Sequence, residues 1–306
     1  MNKLLRIRNC FLTFFILFSV ILASCRSGGK SENKSSDTVN VNKANAAVYE
    51  DIKQAEKIFY TLPSPLESAM LIKSAGALFD DNLLNAVENT KKYNTNKSMA
   101  LNLGIYTCDL SFASLYDQTQ LIIDYMNAAK KMADGLGILE AIEQDDIDKL
   151  EENIHNTDVI MEIVSQTYLN SNSYLEDNGQ PAVAAIVLVG GWIEGLYIST
   201  RLVDMKDFNG NKLVGRIIDQ KLSIDILINL LESSKGNPAI DELIGEVAKV
   251  KTIFDKITLK TSPVRPEYDQ NANVTVLKSE VQANLTPEVF KELAAAVGEI
   301  RSTFVK

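Results

Sequence analysis

The residues best placed to do chemistry lie at the end of an uncharged run. From Ala182 to Ile193 twelve residues carry no charge, and Glu194 follows directly. A carboxylate on so apolar a stretch either finds a partner or keeps its proton, because burying an unpaired charge is prohibitive. Arg201 stands seven residues on, two turns down the same helical face, and is the expected partner. Trp192 and Tyr197 supply aromatic walls beside it. Gly190, Gly191 and Gly195 each cost a helix about 1 kcal/mol relative to alanine. Close approach of a neighbouring helix or of a ligand must offset that. Two readings follow: a buried ion pair with an aromatic plug, or a pocket with aromatic walls and one polar anchor.

A second cluster echoes the first. Gly104, Tyr106, Asp109 and Phe112, then Tyr116, Asp117 and Gln118, again set aromatics beside acids. Aromatic core packing with acids at the helix edge is the bland reading. If both segments face one cavity, Trp192, Glu194, Tyr197, Arg201, Tyr106, Asp109, Phe112 and Tyr116 form a candidate ligand pocket. Paired carboxylates also suit a hydrolase, with Glu194 and Asp109 as candidates. For that chemistry the two carboxyls must converge within about 5–10 Å in an open cleft.

Other chemistries find little support. The only histidine is His155, and Cys108, its conceivable nucleophile, occupies a core position where thiols act as small apolar groups. One histidine and one free cysteine do not make a zinc site. No GxSxG turn, phosphate loop or dinucleotide fingerprint occurs. Asp269, Asn271, Asn273, Thr275 and Glu280 match positions one, three, five, seven and twelve of a calcium loop. Position six is Val274, however, where that loop needs glycine at positive φ. Asp145, Asp146 and Asp148 read as a helix start, since acids favour that end of the dipole. Neither a metal, a cofactor nor a catalytic residue is assigned.

The elements that must position these residues are helical. Val48, Ile52, Ala55, Phe59 and Leu62 recur every three or four residues up to Pro63, and Ser64-Pro65-Leu66-Glu67 restarts a helix with a capping box. A stripe from Leu101 through Ile105, Cys108, Phe112, Leu115 and Ile122 to Ala133 keeps a 3.5-residue rhythm suited to long, nearly antiparallel helices, and Gly135 and Gly137 stop it. Further helices are predicted at about 139–153, 157–175, 182–204, 211–233, 238–260 and 287–305. Only residues 274–277 alternate like a strand, and a lone strand cannot pair with itself. The predicted class is all-α, a multi-helix bundle. A degenerate solenoid of helix pairs is the alternative, although no repeat of 34 or 40 residues finds a register.

The amino end is organised differently. Lys3, Arg6 and Arg8 precede an apolar run from Phe11 to Leu22, too short to span a bilayer, which needs about 20 apolar residues. Leu22-Ala23-Ser24-Cys25 resembles the lipobox of bacterial lipoproteins, which implies cleavage after residue 24 and lipid on Cys25. Arg26 stands where an inner-membrane retention aspartate would, so the resemblance implies the outer membrane, and no acidic cluster of the kind some surface-displayed lipoproteins carry follows Cys25, which implies the periplasmic face. The phrases at 103–120 and 190–197 are similar to those of uncharacterised helical lipoproteins of Bacteroidetes, a likeness that carries no activity. Residues 25–42 are polar and read as a flexible tether, leaving 43–306 as the helical domain. With Cys10 and Cys25 accounted for, Cys108 has no partner for a disulfide in that domain.

Charge limits the partners. Without the first 24 residues the chain keeps 28 of its 31 basic side chains against all 40 acidic ones, a net charge of −12. That sign repels nucleic acid. The expectation is a membrane-anchored envelope lipoprotein acting as a non-catalytic binding or scaffolding module for an envelope protein or small ligand. The alternative is the envelope hydrolase built on Glu194 and Asp109.

Overall fold

Ser64 opens the first described helix as its sequence implies. Its hydroxyl accepts the Glu67 N–H at 3.2 Å, and the Glu67 carboxylate accepts the Ser64 N–H at 2.6 Å, satisfying two otherwise unpaired donors. Helix α1 then runs over Pro65–Ser74. The structure, a computed structural model, describes residues 63–141, 144–261, 265–269, 274–278 and 281–306. The leader, Cys25, the tether and the helix expected over 48–62 lie outside the described residues. The helices belong to a unit spanning Gln54–Lys306.

Helix α2 covers Asn96–Leu115 and α3 covers Thr119–Gly135. The stripe from Leu101 to Ala133 therefore belongs to two helices and not one. Asp117 breaks it, at φ 56°. That left-handed conformation is one that aspartate tolerates better than most residues, and the Thr157 hydroxyl donates to its carboxylate at 2.6 Å. The apolar rhythm continues past the break because α3 folds back along α2 as a hairpin and buries its face against the same core.

Five helices follow: α4 (Gln144–Glu152), α5 (Thr157–Asp177), α6 (Pro181–Arg201), α7 (Lys212–Glu232) and α8 (Pro238–Phe254). The last is α9, Pro287–Phe304. Asn156, Asn237 and Thr286 cap α5, α8 and α9 with side-chain oxygens. Between α8 and α9 lie two short antiparallel ribbons. Strands β1 (Thr258–Thr261) and β4 (Val281–Asn284) pair with Thr258 opposite Asn284, and β2 (Arg265–Asp269) and β3 (Val274–Lys278) pair with Tyr268 opposite Thr275. The expectation of an unpartnered strand at 274–277 is thus corrected. Its partner was hidden by Pro266, a residue rare inside strands. The helix expected to reach residue 260 ends at Phe254 for the same reason, because the chain enters β1 instead.

Helices α2 and α6 form the axis of an all-α bundle and make its most extensive contact. Glycine permits it. A Cβ on Gly104 would sit 2.0 Å from the Val187 carbonyl oxygen, and one on Gly190 would sit 2.0 Å from that of Leu101. Pairing Leu101 with Gly190, Gly104 with Gly191 and Cys108 with Gly195 makes the two helices parallel. The connection through α3, α4 and α5 is what allows that. Helix α9 runs antiparallel to α6, with Arg301 near Glu194 and Ala294 near Arg201. Although α6 is long and apolar enough to cross a membrane, with mean hydropathy 1.7, 72% of that window is buried among the other helices. It contacts α1, α2, α5, α7, α8 and α9, whereas a solenoid helix would touch only its sequence neighbours.

Candidate functional site

Three ionisable groups meet at the centre of this axis. Asp109 comes from α2, Glu194 from α6 and Arg301 from α9. The Arg301 guanidinium donates through Nε to Glu194 Oε2 and through Nη2 to Oε1, both at 2.9 Å, and Nη2 also donates to the Leu83 carbonyl at 3.1 Å. Arg301, and not Arg201, is therefore the partner of Glu194. Arg201 points its Nη2 to the Ala294 carbonyl at 3.4 Å and lies exposed at the end of α6. The two arginines instead share Tyr197, whose ring centre is 4.7 Å from the Arg301 guanidinium and 5.2 Å from that of Arg201.

Asp109 and Glu194 are both fully buried. Asp109 Oδ2 accepts the Asn85 N–H at 3.1 Å, while Oδ1 meets no donor. Glu194 is nonetheless close enough for its charge to act on Asp109. Burial and then the neighbouring Glu194 charge push Asp109 well above the usual carboxylate range. Burial also pushes Glu194 up, but Arg301 opposes it there by charge and by hydrogen bonding. The proton therefore belongs to Asp109, and the ion pair to Glu194 and Arg301. Burial works against the Arg301 charge, yet Glu194 outweighs it and raises the arginine further.

Amides and phenols enclose this centre. Asn85 Nδ2 donates to the Tyr93 hydroxyl at 3.1 Å and to Asn102 Oδ1 at 3.0 Å. Asn102 Nδ2 and the Tyr93 hydroxyl donate to the Phe304 and Val305 carbonyls at 2.9 and 3.3 Å, fastening the carboxyl end of α9. The Tyr106 hydroxyl donates to the Ala86 carbonyl at 3.0 Å, and the Tyr116 hydroxyl to that of Ala77 at 2.5 Å. Phe112 packs between Phe79 and Tyr116, with ring centres 5.1 and 5.0 Å away. Trp192 donates from Nε1 to Gln220 Oε1 at 3.0 Å beside a small hollow on another face of α6. The carboxyls thus converge, but Tyr106, Asp109, Phe112 and Glu194 are sealed in the core without a cleft. Glycine contacts with backbone fill the space that a shared cavity would need.

The larger opening lies elsewhere, under α5. A slot of about 770 Å³, counting its open mouth, is walled by Leu103 and Leu110 of α2, Met126 and Ala129 of α3, Ile147 and Leu150 of α4, and Ala184 and Val187 of α6. One face of α5, from Ile163 to Leu175, roofs it. Polar groups sit among these walls: Thr167, Tyr168, Ser171 and Asn172 on α5, with Asp146 and Lys130. Burial raises the Tyr168 phenol well above its usual range. Asp146 lies 3.4 Å from Lys149. Lys130, half-buried on α3, has neither an ion pair nor a hydrogen bond among the described residues. Apart from Asp146, read only as part of a helix start, none of these residues stood out in sequence as a candidate site residue, because each sits in an ordinary amphipathic helix and the opening exists only where five helices meet.

The other sequence-level candidates separate. His155 is exposed at the start of α5, whereas Cys108 is buried beside Gly195, and burial raises its thiol. Asp269 and Thr275 fall on paired strands, while Asn271, Asn273 and Glu280 of the calcium pattern lie outside the described residues. No cluster of three or more metal-ligating side chains occurs among the described residues. No family model matches the chain, and neither a curated protein nor a solved structure matches it.

Proposed function

We propose that this chain is a non-catalytic binding protein of the bacterial envelope. It is anchored by lipid on Cys25 at the outer membrane, facing the periplasm, and takes a small apolar ligand into the slot under α5. The slot carries the binding reading: its walls are mainly aliphatic, with a few polar groups among them, as in small-molecule sites. The lipobox-like Leu22-Ala23-Ser24-Cys25 supports the anchor. Acyl chains contribute about 0.8 kcal/mol per buried methylene, enough for long-lived attachment without a spanning helix. A hydrolase built on Glu194 and Asp109 lacks the open cleft it needs, since both carboxyls are fully buried.

The test is titration with an uncharged naphthalene dye whose emission shifts to the blue in apolar surroundings. Wild-type protein is expected to bind one dye saturably. Ala129→Trp, which fills the slot, is expected to abolish binding while keeping helicity and melting temperature. Absence of saturable binding by the wild type overturns the ligand reading. Separately, Cys25→Ser should release the protein from the membrane fraction, and retention there overturns the anchor.

A further inference from the structure

The slot's shape and the Lys130 ammonium in its lining narrow the ligand class. Resting on the binding reading above, we propose that the slot holds one unbranched aliphatic chain ending in an anion, carboxylate or phosphate, with the Lys130 ammonium on that head. Three observations support it.

The first is length. The roof runs along α5 from Ile163 to Leu175, twelve residues or about 18 Å at 1.5 Å per residue. A slot that follows one helix for more than three turns suits an extended chain better than a compact ring system. The second is chemistry. Leu103, Leu110, Met126 and Leu150 offer only dispersion and hydrophobic contact, and the unbranched Met126 adapts to a flexible tail.

The third is charge. Among the described residues Lys130 is the only cation lining the slot. Its neighbour Lys131 donates to the Thr90 hydroxyl at 3.3 Å, and Asp146, the only acid among the described lining residues, lies 3.4 Å from Lys149. Among the described residues Lys130 makes no ion pair or hydrogen bond, on a protein of strongly acidic balance. A half-buried ammonium with no counter-ion keeps an unmet demand for one, and the lower dielectric beside an apolar wall strengthens the pairing when an anion arrives. A lysine acts as a point charge and accepts either carboxylate or phosphate.

The test uses the full chain and displacement of the uncharged dye by palmitate, hexadecanol and lysophosphatidic acid, each below its aggregation concentration. Palmitate or lysophosphatidic acid is expected to bind about tenfold more tightly than hexadecanol, the ratio that a charge-assisted contact supplies. Tighter palmitate assigns a free acid, and tighter lysophosphatidic acid a lipid phosphate. Lys130→Met should remove the preference while leaving dye and hexadecanol affinity within about twofold, and Lys130→Arg should keep it. If hexadecanol competes as well as the anions and Lys130→Met changes nothing, the anionic head is wrong although the apolar site stands. If the dye binds but no chain displaces it, the linear ligand is wrong. Failure of the dye itself removes the underlying reading as well.

Discussion

Arg301 reaches Glu194 across 107 residues of sequence and holds both carboxylate oxygens at 2.9 Å, joining the last helix to the buried axis of the fold. The Glu194 side chain is fully buried, and that of Arg301 is 13% exposed. Geometry this good offsets desolvation only while both partners are present.

Removing one partner should therefore be costly. Arg301→Met leaves Glu194 charged and unpaired in the core, and the expected loss is about 3–5 kcal/mol of unfolding free energy. Glu194→Gln strands the guanidinium and should cost a similar amount. The double variant should lose less than the sum of the two, since it leaves neither charge behind. Urea denaturation of the four proteins measures this, and additive losses would mean that the pair is not coupled.

Asp109 should behave in the opposite way. Its proton leaves it neutral, so Asp109→Asn supplies the same shape without a charge and keeps an oxygen for the Asn85 N–H. The expected change at neutral pH is under about 1 kcal/mol, small beside the loss at Arg301. The pH dependence is the sharper readout. A carboxyl raised on folding contributes stability that is complete below its unfolded value of about 3.9 and is lost as pH rises through its folded value. Wild type should thus become less stable as pH rises above that unfolded value, with a slope of that sign. Asp109→Asn should flatten the slope, leaving the smaller part due to Glu194, which burial raises in the same direction. An unchanged slope would place the proton elsewhere.

Much of this fold is legible in the sequence because helices repeat at 3.6 residues. Ile240, Leu243, Val247, Val250 and Phe254 on α8, and Phe290, Leu293, Val297, Ile300 and Phe304 on α9, are buried as their spacing predicts. Local capping is equally legible, since Ser64 and Glu67 are only three residues apart. The partner of Glu194 was not. Sequence proximity favours Arg201, whereas pairing across the bundle is set by which helix crosses α6 at that height. Arg301 carried one signal, being four residues after Val297 and hence close to the buried stripe of α9, where a charge requires a partner. The slot left no such mark, because underfilled packing belongs to no single helix.

The glycines of the axis provide a prediction whose sign reverses with location. Gly215 on α7 and Gly245 on α8 have open space where a Cβ would go, so Gly→Ala there should stabilise by about 0.5–1 kcal/mol through helix propensity alone. Gly104 and Gly190 gain the same propensity, but the new methyl would lie 2.0 Å from a backbone carbonyl oxygen of the facing helix. Neither carbonyl can swing aside as a side chain would, so α2 and α6 must separate. Overpacking of this kind costs typically about 1–3 kcal/mol, and here it must exceed the propensity gain. Gly104→Ala and Gly190→Ala should therefore lower the urea midpoint while Gly215→Ala and Gly245→Ala raise it. Equal effects at all four positions would mean that α2 and α6 do not approach at their backbones, and the explanation for glycine on the central helix would be lost with it.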